Sequence, residues 1–356
     1  MKKFVLLILL SILILPSCDN EIPVTDPLTD CPLWYPIYGR DTIYIDYPKG
    51  QYSIQGCSRD GLKLAFNGYN DFEVLDLRTG YIQTYLPDYF KNKLPPNVIY
   101  RGGTNLYWCP YDNNRLLMHS VTFTDTDGDG KNYEWGQNLY ITSLDGKEFK
   151  KVTPTSYGPA GGDFHIISWL EGSSPNEDYI LFGGGKGVYI PQKDQWIPQP
   201  APAKEGDYIV SVSPNNQYYL LFVDIGNYER KYVLNDVDLN FLDTIGEITH
   251  ESWSPDSKKL ALSLFLKETD VPDQKRRFME IWIIDVEKLM QERPAITPVS
   301  IINIRRNFCM YSYDISAEFI SNNSLAVSMW GPNENFGHIY EISTSGEMIR
   351  KLVSYP

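Results

Sequence analysis

The chain has 356 residues, with 32 Lys and Arg against 45 Asp and Glu, a formal net charge of −13. That balance excludes a nucleic-acid binder, which needs a basic footprint to neutralise phosphates. Apolar residues at 42% and charged residues at 22% exclude wholesale disorder, and 26 Gly, 24 Pro and 26 Tyr suit a turn-rich β protein better than a helical one.

Met1, Lys2 and Lys3 precede an apolar run over residues 4–15, broken only by Ser11. A charged start and a short apolar stretch read as a secretory signal. A transmembrane helix needs about 20 apolar residues, more than this run offers. The run ends Leu15-Pro16-Ser17-Cys18, which resembles the bacterial lipobox. The resemblance implies cleavage after residue 17 and a lipid on Cys18, which holds the protein to a membrane of the bacterial cell envelope. The outer membrane is the expected one, with its periplasmic and surface faces both open. Residues 19–30, DNEIPVTDPLTD, are a polar tether. Asp19 and Glu21 make a partial match to the acidic export signals of Bacteroidetes surface lipoproteins.

Beyond the tether a hairpin pattern recurs in chain order. The copies start at Cys57-Ser-Arg-Asp60-Gly61, Trp108-Cys-Pro110-Tyr-Asp112, Trp169 with Pro175, Val212-Ser-Pro214-Asn215, Trp253-Ser-Pro255-Asp256 and Phe319-Ile-Ser-Asn322. Each reads as strand, tight turn, strand, because Pro presets φ and Asp or Asn caps the turn through its side chain. A third strand follows each copy, expected over 72–77, 138–142, 187–190, 232–237, 281–286 and 338–342. Closing strands are expected over 81–86, 148–153, 196–200, 240–245, 299–304 and 347–353. A short helix is expected over 286–293. Six units of four antiparallel strands predict an all-β, six-bladed β-propeller over 51–356, with a sandwich or another β repeat as the alternative. A further strand candidate, 42–46, either closes the last blade or seeds a seventh.

The pattern W-S-P-D-x-K-x-L-A resembles the WD40-like β-propeller repeat of the TolB C-terminal domain and its relatives. The resemblance covers residues 51–353 and speaks for fold more than for function. TolB-type proteins carry an α/β domain before the propeller, and residues 19–50 are too short for one, so the role of TolB is not carried over. Stand-alone, lipid-anchored propellers of Bacteroidetes envelopes are the better match.

Asp125, Asp127 and Asp129, with Gly130 at the sixth position, resemble the start of a Ca²⁺ loop. Position 12 is Gly136 instead of a bidentate Glu, and strands flank the loop, so it is not an EF-hand. A structural Ca²⁺ and a metal-free acidic hairpin both remain open. His165 and His250 fall where the chain enters an innermost strand, so both are expected near the central channel. His119 reads as a packed, hydrogen-bonded histidine and His338 as incidental. Some propeller polysaccharide lyases hold a metal there, but no His-x-His occurs. Cys31, Cys57, Cys109 and Cys309 leave three disulfide pairings open, while Cys57 and Cys109 read as small buried strand residues. The glycines at 161–162 and 183–185 lack phosphate-loop spacing and read as tight turns. Among aromatics in or beside loops (Trp34, Tyr35, Tyr38, Tyr107, Trp108, Tyr133, Trp135, Trp196, Trp330), Tyr133 and Trp135 are the best surface candidates. Trp169 and Trp253 are expected in the core. No catalytic constellation is visible. The expected function is a monomeric, lipid-anchored binding or scaffold module for an envelope protein or a glycan. The alternative is a polysaccharide-active lyase or hydrolase at the channel mouth, which three converging ionisable groups would favour.

Overall fold

At three turns from an innermost strand to its neighbour, side chains decide the geometry. At Ser254 the hydroxyl donates to Asp256 Oδ1 (2.7 Å) and accepts the Lys259 N–H (2.8 Å), while Asp256 Oδ1 accepts the Lys258 N–H (3.1 Å). Ser58 with Asp60 and Ser213 with Asn215 repeat the arrangement. Ser143 with Asp145 uses it in an outer turn. In each the third residue after the serine (Gly61, Asn216, Ser257, Gly146) has positive φ, a region that favours Gly and Asn.

The computed structural model describes residues 53–354 except 68–71, 86–91, 101–104, 159, 163–164, 172–176, 184–185, 200–207, 227–228, 240–245, 268–276, 293–297, 309–315 and 330–336. Cys18, Cys31, Trp34, Tyr35, Tyr38, the strand expected over 42–46, Cys309 and Trp330 lie outside the described residues. Blade 1 is β1 (Ser53–Cys57), β2 (Lys63–Asn67), β3 (Phe72–Asp76) and β4 (Ile82–Tyr85). Blade 2 is β5 (Val98–Tyr100), β6 (Asn105–Trp108), β7 (Arg115–Asp125), β8 (Tyr133–Ser143) and β9 (Phe149–Lys151). Blade 3 is β10 (Ile166–Glu171), β11 (Asp178–Phe182), β12 (Gly187–Ile190) and β13 (Gln195–Ile197). Blade 4 is β14 (Tyr208–Val212), β15 (Tyr219–Gly226), β16 (Glu229–Leu234) and β17 (Val237–Asp238). Blade 5 is β18 (Gly246–Trp253), β19 (Lys259–Lys267), β20 (Arg277–Asp285), helix α1 (Val286–Glu292) and β21 (Ser300–Asn303), followed by helix α2 (Ile304–Phe308). Blade 6 is β22 (Ala317–Ser321), β23 (Ser324–Met329), β24 (His338–Ser343) and β25 (Met348–Val353). Every pairing is antiparallel, and the strands pair in sequence order except in blade 2, where β5 and β6 both pair with β7.

Six apolar cores separate the six blades, one at each interface. Ala65 and Phe72 meet Leu116 and Tyr140 between blades 1 and 2, and Leu117 and Ile141 meet Trp169 and Phe182 between blades 2 and 3. Leu181 meets Ile209, Leu220 meets Leu260, and Ala261 meets Phe319 at the next three. The sixth core joins Ile320 and Ile339 of blade 6 to Ile54 and Leu64 of blade 1. An open row of six blades would have five such interfaces, so the sixth closes the ring. Adjacent residues such as Leu116 and Leu117 enter opposite cores, which requires strands apolar on both faces. Each fully buried Leu or Ile contributes about 1.5–3 kcal/mol.

Three sequence expectations need correction. The strand expected over 232–237 is split by a two-residue turn, because Asn235 takes φ +53° and its N–H donates to Tyr219 O. The fourth strand of the blade 4 sheet is β17, and the closing strand expected over 240–245 lies outside the described residues. Ile304 begins α2 instead of ending a strand. Blade 2 gains β5, which lies end to end with β6 along the same edge of β7. The expected helix forms as α1, capped by Asp285 Oδ1, which accepts the Lys288 N–H at 2.9 Å.

Closure also rests on Gly61, whose φ is +68° and whose missing Cβ would strike Ile320 O of blade 6. Gly80 has a similar φ of +72° in open space. Gly61→Ala is expected to lower unfolding free energy by about 1–3 kcal/mol more than Gly80→Ala, read from urea denaturation midpoints.

Candidate functional site

Two places on the ring depart from the pattern of paired turns and apolar cores. The first is the β7–β8 hairpin of blade 2. Both strands run eleven residues, whereas β11 and β12 of the facing blade run five and four. Among the described strands, the hairpin therefore runs beyond those of blade 3. Ile99, Phe123 and Trp135 stand directly opposite one another across β5, β7 and β8, so they share one face of the sheet. Tyr133 is two residues further along that face. Trp135 is 50% exposed, Tyr133 38% and Ile99 37%. The backbone beneath is held tightly: Gln137 exchanges both hydrogen bonds with Gly162, and a Cβ on Gly136 or Gly161 would strike the opposing main chain.

The hairpin tip carries the three predicted aspartates, with carboxylate oxygens within 4.8 Å of one another. Each already accepts main-chain hydrogens. Asp125 takes the N–H of Gly128 (2.8 Å) and Gly130 (3.0 Å), and Asp127 takes that of Asp129 (3.2 Å). Asp129 takes those of Lys131 (2.7 Å) and Asn132 (3.0 Å), and these bonds hold its carboxyl below the usual range. The tip is thus a self-closed acidic turn whose shape is fixed by its own hydrogen bonds. Glu134 is exposed beside it.

The second place is the central channel. A cavity of 290 Å³ opens between the innermost strands of blades 1, 2, 5 and 6, lined among others by Gln55, Asn105, Tyr107, His250 and Ser316. His250 Nε2 lies 3.4 Å from Glu318 Oε2 of blade 6. Glu251 adjoins it, and burial, with the nearby Glu318 charge, pushes its carboxyl up to about 7, against the opposing pull of His250. Tyr107 donates to Ile166 O (2.9 Å), and its hydroxyl is pushed up by burial and by Glu251. Burial and the Glu318 charge also raise the Cys57 thiol. Glu251 and Glu318 escaped the sequence analysis, and Tyr107 was named only as an aromatic in or beside a loop. The signal for Glu318 was there: it is a carboxylate between Ala317 and Phe319 in an innermost strand.

Of the two channel histidines expected, His250 lines the cavity, while His165 is an exposed residue packed beside Gly183. His119 is buried and hydrogen-bonded to Gln137 Oε1 (2.8 Å). His338 is buried edge-on against Tyr340. Cys57 and Cys109 are free thiols. Tyr107, Trp108 and Trp196 are half-buried between strands, and Trp169 and Trp253 are in the cores. Among the described residues no helix is long and apolar enough to cross a membrane.

The protein is a six-bladed β-propeller. No family model matches the chain, and no curated protein sequence matches it. Among solved structures it is similar to TolB from Acinetobacter baumannii, with 11% identity and a TM-score of 0.44 over 86% of this chain; it spans 64% of that chain. It is also similar to Sqt1 from Saccharomyces cerevisiae (10% identity, TM-score 0.41, 87% of each chain) and to the β-propeller domain of the Trilobed protease from Pyrococcus furiosus (9%, 0.39, 84% of each).

Glu251 gives the channel a pH signature. The unfolded chain ionises this group near about 4.3 and the folded one near 7. Between those values the unfolded state releases its proton first, so this residue's contribution to stability falls as pH rises, and is level above the upper value. Glu251→Gln is expected to stabilise the fold by about 1–3 kcal/mol at pH 8 and to leave it unchanged near pH 4, as measured by urea denaturation of both forms.

Proposed function

We propose that the protein is a binding module of the bacterial cell envelope, held to a membrane by a lipid on Cys18, that docks a protein partner through the outer face of blade 2. The observation that carries this reading is the exposure of Ile99, Trp135 and Tyr133 on one face of the sheet, with half-buried Phe123 between Ile99 and Trp135. A rigid sheet face with exposed aromatics buries large area on docking at low entropic cost. The exposed carboxylates of Asp127, Asp129 and Glu134 border it, which suits a partner segment that places Lys or Arg next to an apolar residue. Ile99 in the row favours a protein over a glycan, because an aliphatic side chain offers no ring for a sugar to stack on.

Affinity capture tests it. The mature chain from residue 19, tagged at its C-terminus, is incubated with detergent-solubilised envelope, and retained proteins are identified by mass spectrometry. A stoichiometric partner is expected for the unaltered chain, with retention at least about tenfold lower for Trp135→Ala, the loss of one aromatic anchor. Retention unaffected by Trp135→Ala would overturn the docking face. Capture of polysaccharide instead of protein would turn the reading to a glycan.

The anchor has its own test: Cys18→Ser in the full chain is expected to move the protein from the membrane fraction to the soluble one, as shown by fractionation and immunoblot. A single acyl chain binds membranes only marginally, so firm retention by the unaltered chain points to multiple acylation.

The alternative of a polysaccharide-active enzyme draws on one observation, the pairing of cavity-lining His250 with Glu318, with the raised carboxyl of Glu251 next in the chain. Cleavage of envelope polysaccharide that disappears with Glu251→Gln would favour it.

A further inference from the structure

We propose that the partner of the blade 2 face is held as an added β-strand. It is an extended protein segment, alternating apolar and basic residues, that pairs with the outer edge of β8 at Tyr133 and Trp135. The inference rests on the docking reading above and adds how the partner is held and what pattern its sequence carries.

The edge follows from the register. In an antiparallel sheet, successive residues turn their N–H and C=O groups to one neighbouring strand and then to the other. On β8 the odd-numbered residues face away from β7. Ser143 N–H donates to Glu148 O (3.1 Å), Leu139 N–H donates to Thr153 Oγ1 (3.0 Å) and Leu139 O accepts the Val152 N–H (2.8 Å). Gln137 exchanges both its bonds with Gly162 on the same side. Trp135 and Tyr133 continue that alternation, because β7 and β8 pair without a bulge as far as Asp125 and Tyr133. Strand β9 stops short and pairs only with Tyr140–Thr142. Among the described residues, none meets the N–H and C=O groups of Trp135 and Tyr133 on that side.

An open edge is a template for a further strand, and proteins commonly blunt it with Lys, Pro or a bulge. Between Tyr133 and Gln137 this edge has none of the three. Main-chain pairing at such an edge supplies affinity, and side chains on the two faces of the added strand supply choice.

The two faces set the chemistry. Trp135 and Tyr133 lie on one face of the sheet and Glu134 on the other. All three are exposed. Every second residue of an added strand stands beside the rings, and the residues between them stand on the side of Glu134. Apolar side chains suit the first set and Lys or Arg the second. The exposed carboxylates of Asp127 and Asp129 at the tip add charge of the same sign, which Lys131 offsets in part. A second copy of this chain is the poorer occupant, because pairing two β8 edges brings together two acidic tips of a chain whose formal charge is −13.

The test is calorimetric titration of the mature chain with the peptide Val-Lys-Val-Lys-Val-Lys, acetylated and amidated at its ends. Two further peptides carry N-methyl groups on the valines alone or on the lysines alone. The unmethylated peptide is expected to bind. One methylation pattern is expected to weaken binding at least about tenfold, by removing the N–H groups that face β8, and the other to leave it within about twofold. Which pattern fails reports whether the added strand runs antiparallel or parallel. Hydrogen exchange gives a second readout in the unaltered chain: bound peptide is expected to slow the amides of Tyr133 and Trp135 more than those of Glu134 and Gly136, which face β7. Glu134→Lys is expected to exchange preference from this peptide to Val-Glu-Val-Glu-Val-Glu. Equal loss from the two methylation patterns, no slowing at Tyr133 and Trp135, or no binding at millimolar peptide would overturn the added strand. A dimer of the unaltered chain paired through this edge would overturn it in favour of a second copy. Envelope capture that still depends on Trp135 would then leave the docking face standing, whereas capture indifferent to Trp135→Ala removes the docking face itself.

Discussion

The serine hydroxyl and the carboxylate or amide two residues later are the small device on which the ring depends. The serine closes the hairpin between the first and second strands of a blade, and the second side chain fixes the main chain of the turn. The same turns reach the next blade. Asp60 N–H donates to Asn113 Oδ1, Asn215 N–H to Ser257 Oγ, and Asp256 N–H to Asn322 Oδ1. Lys63 and Lys259 repeat the link, each placing its ammonium on the main-chain carbonyl of Asn113 or Asn322. One turn therefore sets both the register inside a blade and the contact between blades. Register is the critical quantity, because a slip of one residue would exchange the two faces of a strand. Leu260 and Ala261 would then enter each other's cores, and neither interface would fill.

The blade 2 face follows from that arrangement by a mismatch of length. Strands β7 and β8 pack on blade 3 through Leu117, Leu139 and Ile141. Further out the same alternation of residues continues through half-buried Phe123 and exposed Trp135, beyond the described strands of blade 3. The result is a paired sheet face that ends in exposed Trp135, Tyr133 and Ile99. Its rim is acidic in a chain whose formal charge is already −13. Asp129 at the tip is held by the main-chain N–H groups of Asn132 and Lys131, which favours its ionised form. A fixed negative rim speeds encounter with a cationic partner and repels an anionic one.

Much of this was legible because its causes are local. The turn signature counted the blades, since Pro, Asp and Gly act through φ and through hydrogen bonds within five residues. Trp135 and Tyr133 were legible as surface candidates because they flank an acidic turn. The rest depends on partners distant in sequence. The Asn235 turn was missed because Asn-Asp within a β-branched run looks like strand until φ is known. The extra strand β5 exists only because β7 is long enough to pair two segments end to end. Glu251 reads as the first residue of a repeat, and its environment comes from Glu318 and Tyr107, 67 and 144 positions away in the chain.

The channel acids run against the logic of the cores. The six cores are built from Leu, Ile, Phe and small residues, and hydroxyls brace them by accepting main-chain hydrogens, such as Ser252 for Phe319 and Ser316 for Ile54. Glutamate at 251 does no such work. Burial disfavours its charge, and Glu318 adds repulsion that His250 offsets only in part. A glutamine would keep the shape and remove the repulsion, so packing alone gives no reason for an acid at this position. An acid kept where burial raises its affinity for a proton is a stability cost that the shape of the strand does not require, and such costs mark places selected for something other than packing.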